Sequence, residues 1–86
     1  MKELLLAQIK GRIQSYIARE KEPITKIVKY IKTMIQKHGI TKEEIKQILQ
    51  QVKQETIEPF LNPQSPLYRP ERLERYKRLL KELQIE

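Results

Sequence analysis

The sequence predicts an all-α protein: a small domain of three to four helices with a helical hairpin, and a C-terminal helix that follows a proline-rich extended segment. Three observations predict it. Apolar residues recur at three- and four-residue steps in four separate stretches, which places them on one face of a helix in each. Helix-stop and helix-start signals converge between Ile35 and Ile45. Four prolines between Pro59 and Pro70 set the last periodic stretch apart. The expected organisation is a helical core domain over residues 1–58, the proline-rich segment over 59–70, and a helical arm over 71–86.

The first helix is expected within residues 1–22, where Leu5, Leu6, Ile9, Ile13, Tyr16 and Ile17 form an apolar stripe. Gly11 lies inside it, at a cost of up to about 1 kcal/mol against Ala, and reads as a tolerated surface glycine rather than a point of close approach. Pro23 ends this helix or opens the first turn of the next. The second helix is expected from about Pro23 to His38. Ile24, Ile27, Val28, Ile31, Met34 and Ile35 share its inner face, and Lys26, Lys29, Lys32 and Lys37 occupy the opposite arc. His38 reads as a partly buried helix-end residue, favourable at the negative end of the dipole.

The boundary that follows has the most signals. Gly39 supplies the positive φ with which many helices terminate, and Ile40 stands where that motif returns an apolar residue to the helix, against Ile35. Thr41 and Glu44 have the spacing of a capping box, and Ile40 and Ile45 that of a hydrophobic staple. The stretch Ile24 to Val52 is therefore expected to organise the chain. The third helix starts at Thr41, buries Ile45, Ile48, Leu49 and Val52, and is expected to stop by Glu58 because Pro59 lacks a donor. From Pro59 to Pro70 an extended course is expected, with Phe60, Leu61, Leu67 and Tyr68 packed on the domain or on a neighbouring chain. The last helix is expected from about Pro70 to Leu83. Leu73, Tyr76, Leu80 and Leu83 keep heptad spacing with Leu79 beside them, a face that wants a partner.

Composition excludes several functions. Eighty-six residues form one domain with a small core, and with one Phe and no Trp the aliphatic residues must supply the burial. Long helices on so thin a core lead to the expectation of a homo-oligomer. There is no Cys and no Asp, and only one His, so disulfides, metal sites and cofactors are not expected. No pair of glutamates is spaced for acid–base work, Ser15 and Ser65 lack a triad context, and two glycines cannot make a phosphate loop. No catalysis and no small-molecule substrate are expected. The longest apolar run, Leu4 to Ala7, is far short of a membrane span, and the basic helices lack the Trp- and Phe-rich face that binds a membrane surface. The expected location is cytoplasmic.

The net charge is +7, and its distribution is informative: five lysines and no acid lie between Pro23 and Lys42. An uncompensated cationic helix suits a polyanion. The helix, glycine turn and second helix over residues 31–50 resemble the helix-turn-helix DNA-binding motif, with Gly39 as the turn glycine and Met34, Ile40, Ile45 and Ile48 at its apolar positions. The position four before the glycine departs from the motif, being Ile35 where Ala or Gly is usual, which implies a wider angle between the helices. The resemblance implies that the helix from Thr41 enters the major groove, with Lys42, Lys46, Gln47 and Gln50 as base-edge or phosphate contacts. Lys26, Lys29, Lys32 and Lys37 would neutralise phosphates, as would Arg72, Arg75 and Arg78. The expected function is thus nucleic-acid binding, duplex DNA before RNA; the alternative is a subunit that assembles through its C-terminal arm.

Overall fold

The computed structural model describes residues 2–85. It is all-α, with no strand among those residues. Four helices follow in order: α1, Lys2–Arg19; α2, Ile24–Lys37; α3, Lys42–Val52; and α4, Glu71–Leu83. α3 continues without a break into a π-helical turn, Lys53–Ile57, and a 3-10 turn, Glu58–Phe60.

The organising element is α1 and not the stretch Ile24 to Val52. α2, α3, α4 and the π turn all pack on α1; α2 and α4 also pack on each other, whereas α2 and α3 barely touch. The reason lies in the stripes. Ile9, Ile13, Tyr16 and Ile17 are buried along the longest helix, and each following helix turns its own stripe onto that surface: Ile27, Ile31 and Met34 from α2, Ile45, Ile48, Leu49 and Val52 from α3, and Tyr76, Leu79 and Leu83 from α4. Fully burying one such side chain contributes about 1.5–3 kcal/mol. α2 and α3 splay apart, with half-buried Ile35 at the position where a close hairpin needs a small residue. No polar or charged residue is buried among the described residues.

The hairpin turn forms as its local signals require. Gly39 has φ +70°. The N–H groups of His38 and Ile40 both donate to the Met34 carbonyl, at 3.1 and 3.3 Å, and Ile40 is buried. Both halves of the capping box are made: Glu44 N–H donates to Thr41 Oγ1 at 3.1 Å, and Thr41 N–H donates to Glu44 Oε1 at 2.9 Å. His38 differs from expectation: it is exposed, because the turn carries it away from α1.

α1 ends at Arg19, short of residue 22. Glu20 takes a left-handed conformation (φ 48°) and its N–H closes on the Tyr16 carbonyl at 2.8 Å. The early stop lets Glu22 reach back to Arg12, which donates to it through Nε and Nη2 at 2.8 and 2.9 Å. The Arg12 guanidinium also lies 4.2 Å from the centre of the Tyr30 ring. One arginine thereby ties α1, the connector and α2 together, and its hydrogen bonds hold the Glu22 carboxyl below the usual carboxylate range.

Helical winding does not stop at Glu58. Glu58 is right-handed helical, its N–H bonds to Lys53 O five residues back, and Pro59 sits within the 3-10 turn. The missing proline donor falls where the ladder changes from the wide π spacing to the tight 3-10 one, so winding continues past it. Residues 59–70 contain no regular α-helix, yet they are folded back rather than extended. Two successive β-turns, Asn62 to Ser65 and Ser65 to Tyr68, close with bonds of 3.0 and 3.1 Å, each with proline at its second position. Asn62 Oδ1 accepts from Gln64 N–H at 3.0 Å and Ser65 Oγ from Leu67 N–H at 3.1 Å, local bonds that favour turns. The loop is shut at its base by Arg69 N–H donating to Phe60 O at 2.7 Å. Phe60 and Leu61 are half-buried, while Leu67 and Tyr68 are 57% and 37% exposed.

α4 is no free arm. Of the apolar face that the heptad spacing offered to a partner, Tyr76, Leu79 and Leu83 are buried within the same chain, and Leu73 and Leu80 pack half-buried against its core.

The two glycines should respond to alanine with opposite signs. Gly11 is in a helix interior with nothing within 4 Å of an added Cβ, whereas Gly39 needs a left-handed backbone. Gly11→Ala is expected to stabilise the protein by about 0.5–1 kcal/mol and Gly39→Ala to destabilise it by about 1–2 kcal/mol. Urea titration followed by circular dichroism measures both; equal shifts would contradict the turn.

Candidate nucleic-acid interface

α2 presents the cationic surface. With its stripe turned onto α1 and α4, the arc left to solvent holds Lys26, Lys29, Lys32 and Lys37, all exposed. At about 100° per residue these four span roughly 140° of the helix. Lys42 opens α3 and is exposed beside the same end of α2, where it lines a 270 Å³ depression together with Lys32. None of these five lysines has a carboxylate within 4.0 Å among the described residues.

Four of the acids are engaged elsewhere. Glu22 is held by Arg12; Glu44 caps α3 and meets Lys2 at 3.1 Å; Glu55 of the π turn meets Lys10 at 3.0 Å; Glu20 is 4.0 Å from Arg78. The Glu44 carboxyl is held below its ordinary range, first by the Thr41 N–H and then by Lys2. The lysines of α2 therefore form no ion pair among the described residues, although Glu82 of α4 lines the depression that holds Lys29 and Lys32.

The other candidates divide. Lys46 is exposed but lies 3.7 Å from Glu43, whose side chain is 80% exposed. Gln47 lines a shallow groove against Leu6, Ala7 and Lys10 of α1, and Gln50 is exposed. The outward face of α3 therefore carries both signs of charge. Arg72 and Arg75 leave the phosphate list, because both guanidinium groups are drawn into the fold. Arg72 Nη1 donates to Thr56 O at 3.0 Å and the group stacks 4.3 Å from the centre of the Phe60 ring. Arg75 Nη1 donates to Ile17 O at 2.8 Å, in the last turn of α1, where carbonyls lack helical partners and cations are favoured. Arg78 keeps an exposed side chain, with Glu20 at the distance limit of a salt bridge.

Sequence reasoning missed the Arg12–Glu22–Tyr30 cluster and the carbonyl-capping arginines. Tyr30 gave one available signal: it sits at the edge of the α2 stripe, where an aromatic ring can take a cation from the neighbouring helix. Among the described residues no group of three or more His, Cys, Asp or Glu side chains could hold a metal ion. None of the helices is long and apolar enough to cross a membrane.

If Arg75 caps α1, Arg75→Ala should cost about 1.5–3 kcal/mol by urea denaturation, the range for a hydrogen bond to a charged group. Arg78→Ala, on the surface, should stay within about 0.5 kcal/mol. Equal losses would return Arg75 to the surface set. Comparison of the chain with family models, with curated proteins and with solved structures gives no match, so the functional reading rests on these residues alone.

Proposed function

We propose that this protein binds nucleic acid, duplex DNA in preference to RNA, by laying α2 against the phosphate backbone. The observation that carries the reading is the set of five exposed lysines, Lys26, Lys29, Lys32, Lys37 and Lys42, with no carboxylate within 4.0 Å among the described residues. Each phosphate so neutralised releases condensed counterions, which is the main source of affinity for a sequence-independent contact. The 14 residues of α2 span about 21 Å at 1.5 Å per residue, an axial length of duplex along which each strand carries roughly six phosphates.

Backbone contact suits this surface better than base reading. Glu43 projects from the outward face of α3 and would approach the phosphates if that helix entered a groove. Duplex suits it better than single strand, because the ridge offers no aromatic stacking platform; Tyr30 is covered by Arg12. The resemblance of residues 31–50 to the helix-turn-helix DNA-binding motif favours DNA over RNA as that duplex. The reading is of a regulatory or nucleoprotein component working inside the cell, and it assigns no catalytic group and no cofactor. The assembly reading loses its leucine seam, since Leu79 and Leu83 are buried in their own chain and Leu73 and Leu80 pack half-buried on the same core.

Binding to a 16-base-pair duplex should be salt-dependent, with three to five phosphate contacts giving a log–log slope of about −3 to −4.5 and a loss of roughly 40- to 500-fold between 50 and 200 mM salt. The double variant Lys29→Glu/Lys32→Glu should lose at least tenfold on any sequence, as read by fluorescence anisotropy. Gln47→Ala/Gln50→Ala should bind like the parent. A flat salt response, or an unaffected lysine variant, would overturn the reading.

A further inference from the structure

We infer that the trough between α2 and the C-terminal end of α4 is a docking site for an acidic amphipathic helix of a partner protein. Two depressions, of 430 and 270 Å³, share Lys32 and Gln36 and so adjoin each other beside α2. From Ile24 to Gln36 the trough runs about 18 Å, at 1.5 Å per residue, the length of three helical turns.

The lining combines an aliphatic strip with the polar residues Thr25, Thr33, Gln36 and Gln84. Ile24, Val28 and Ile35 lie along one edge of the α2 stripe, each packed on the core from one side and half-open on the other. Leu83 and Ile85 close the far end. No aromatic side chain lines the trough, so it offers nothing for a base to stack on. The half-exposed floor also leaves a small ligand largely in water, whereas small-molecule sites enclose most of their ligand. An amphipathic helix laid lengthwise fits such a floor, inserting apolar residues spaced i, i+3 or i+4, and i+7.

Charge decides the sign of the occupant. Lys29, Lys32 and Lys42 line the trough, and none has a carboxylate within 4.0 Å among the described residues. A helix seated there would set its own carboxylates against these lysines. The α4 wall carries Glu82. The occupant is therefore asymmetric, with acids along the flank facing α2 and a basic residue on the flank facing Glu82. Recognition of this kind shares Lys29, Lys32 and Lys42 with the proposed phosphate contacts, so peptide and duplex would compete, but it is testable with the peptide alone.

The test uses a synthetic 18-residue helical peptide with leucines at the insertion spacing, glutamates on one flank and a single arginine on the other. Binding to the full chain is read by fluorescence anisotropy and by methyl NMR shifts. The expected result is saturable binding with shifts at the methyls of Ile24, Val28, Ile35 and Leu83. A peptide with serine in place of leucine, and one with lysine in place of glutamate, should each bind at least tenfold more weakly. Lys29→Glu/Lys32→Glu should reverse the preference between the glutamate and lysine peptides. Equal binding of the serine peptide would show charge attraction alone and overturn the docking site, as would shifts confined to other surfaces. Displacement of the peptide by dodecanoate, with the same methyl shifts, would make the trough an acyl-chain site and overturn the helix assignment.

Discussion

Burial of one apolar stripe on α1 governs the rest of this molecule. Ile9, Ile13, Tyr16 and Ile17 receive the inner faces of three other helices, and once those faces are turned inward every outward face is determined. α2 has no freedom to hide its lysines, because Ile27, Ile31 and Met34 can meet α1 in only one rotation of the helix. The turn at Gly39 and the cap at Thr41 then decide where α3 departs, and hence that Lys42 stands beside Lys32. The electrostatic surface is thus a consequence of the packing.

That surface works against local stability, which is part of the argument for its use. Lys26, Lys29 and Lys32 follow at i, i+3 spacing, where like charges are unfavourable by a few tenths of a kcal/mol per pair. α2 has no acid in its first turn and no side-chain cap, so its positive end lacks compensation from within the helix. Tertiary packing and the Arg12–Glu22–Tyr30 cluster hold the helix instead. The chain contains enough glutamates to relieve the repulsion, and none of those described lies on α2 itself. A polyanion would convert the repulsion into binding energy.

Features set by neighbours in sequence were legible, and those set by neighbours in space were not. The stop at Gly39 and the capping box rest on residues within a few positions of one another, and both form as read. The central place of α1 was hidden, because a stripe's spacing shows that it will be buried but not what will bury it. Arg72 and Arg75 read as surface charges because the carbonyls they cap lie 16 and 58 residues away. The proline-rich loop was different: Asn62-Pro63 and Ser65-Pro66 are turn signatures in plain view, outweighed by the expectation that dense proline means extension. The end of α1 had no such signal, since Glu20 takes a conformation usually left to glycine. Of the candidate interface, the lysines were legible from the acid-free run. The trough was not, because its far wall is built from residues 82–85.

The central claim is that packing on α1 turns α2 outward as a surface for phosphates. The most direct measurement is a backbone amide NMR titration of the full chain with a 16-base-pair duplex at 50 mM salt. The account predicts shifts concentrated in α2 and at Lys42, with Arg72 and Arg75 unmoved and the effect reversed by added salt. Shifts centred on Gln47 and Gln50, or none at all, would contradict it.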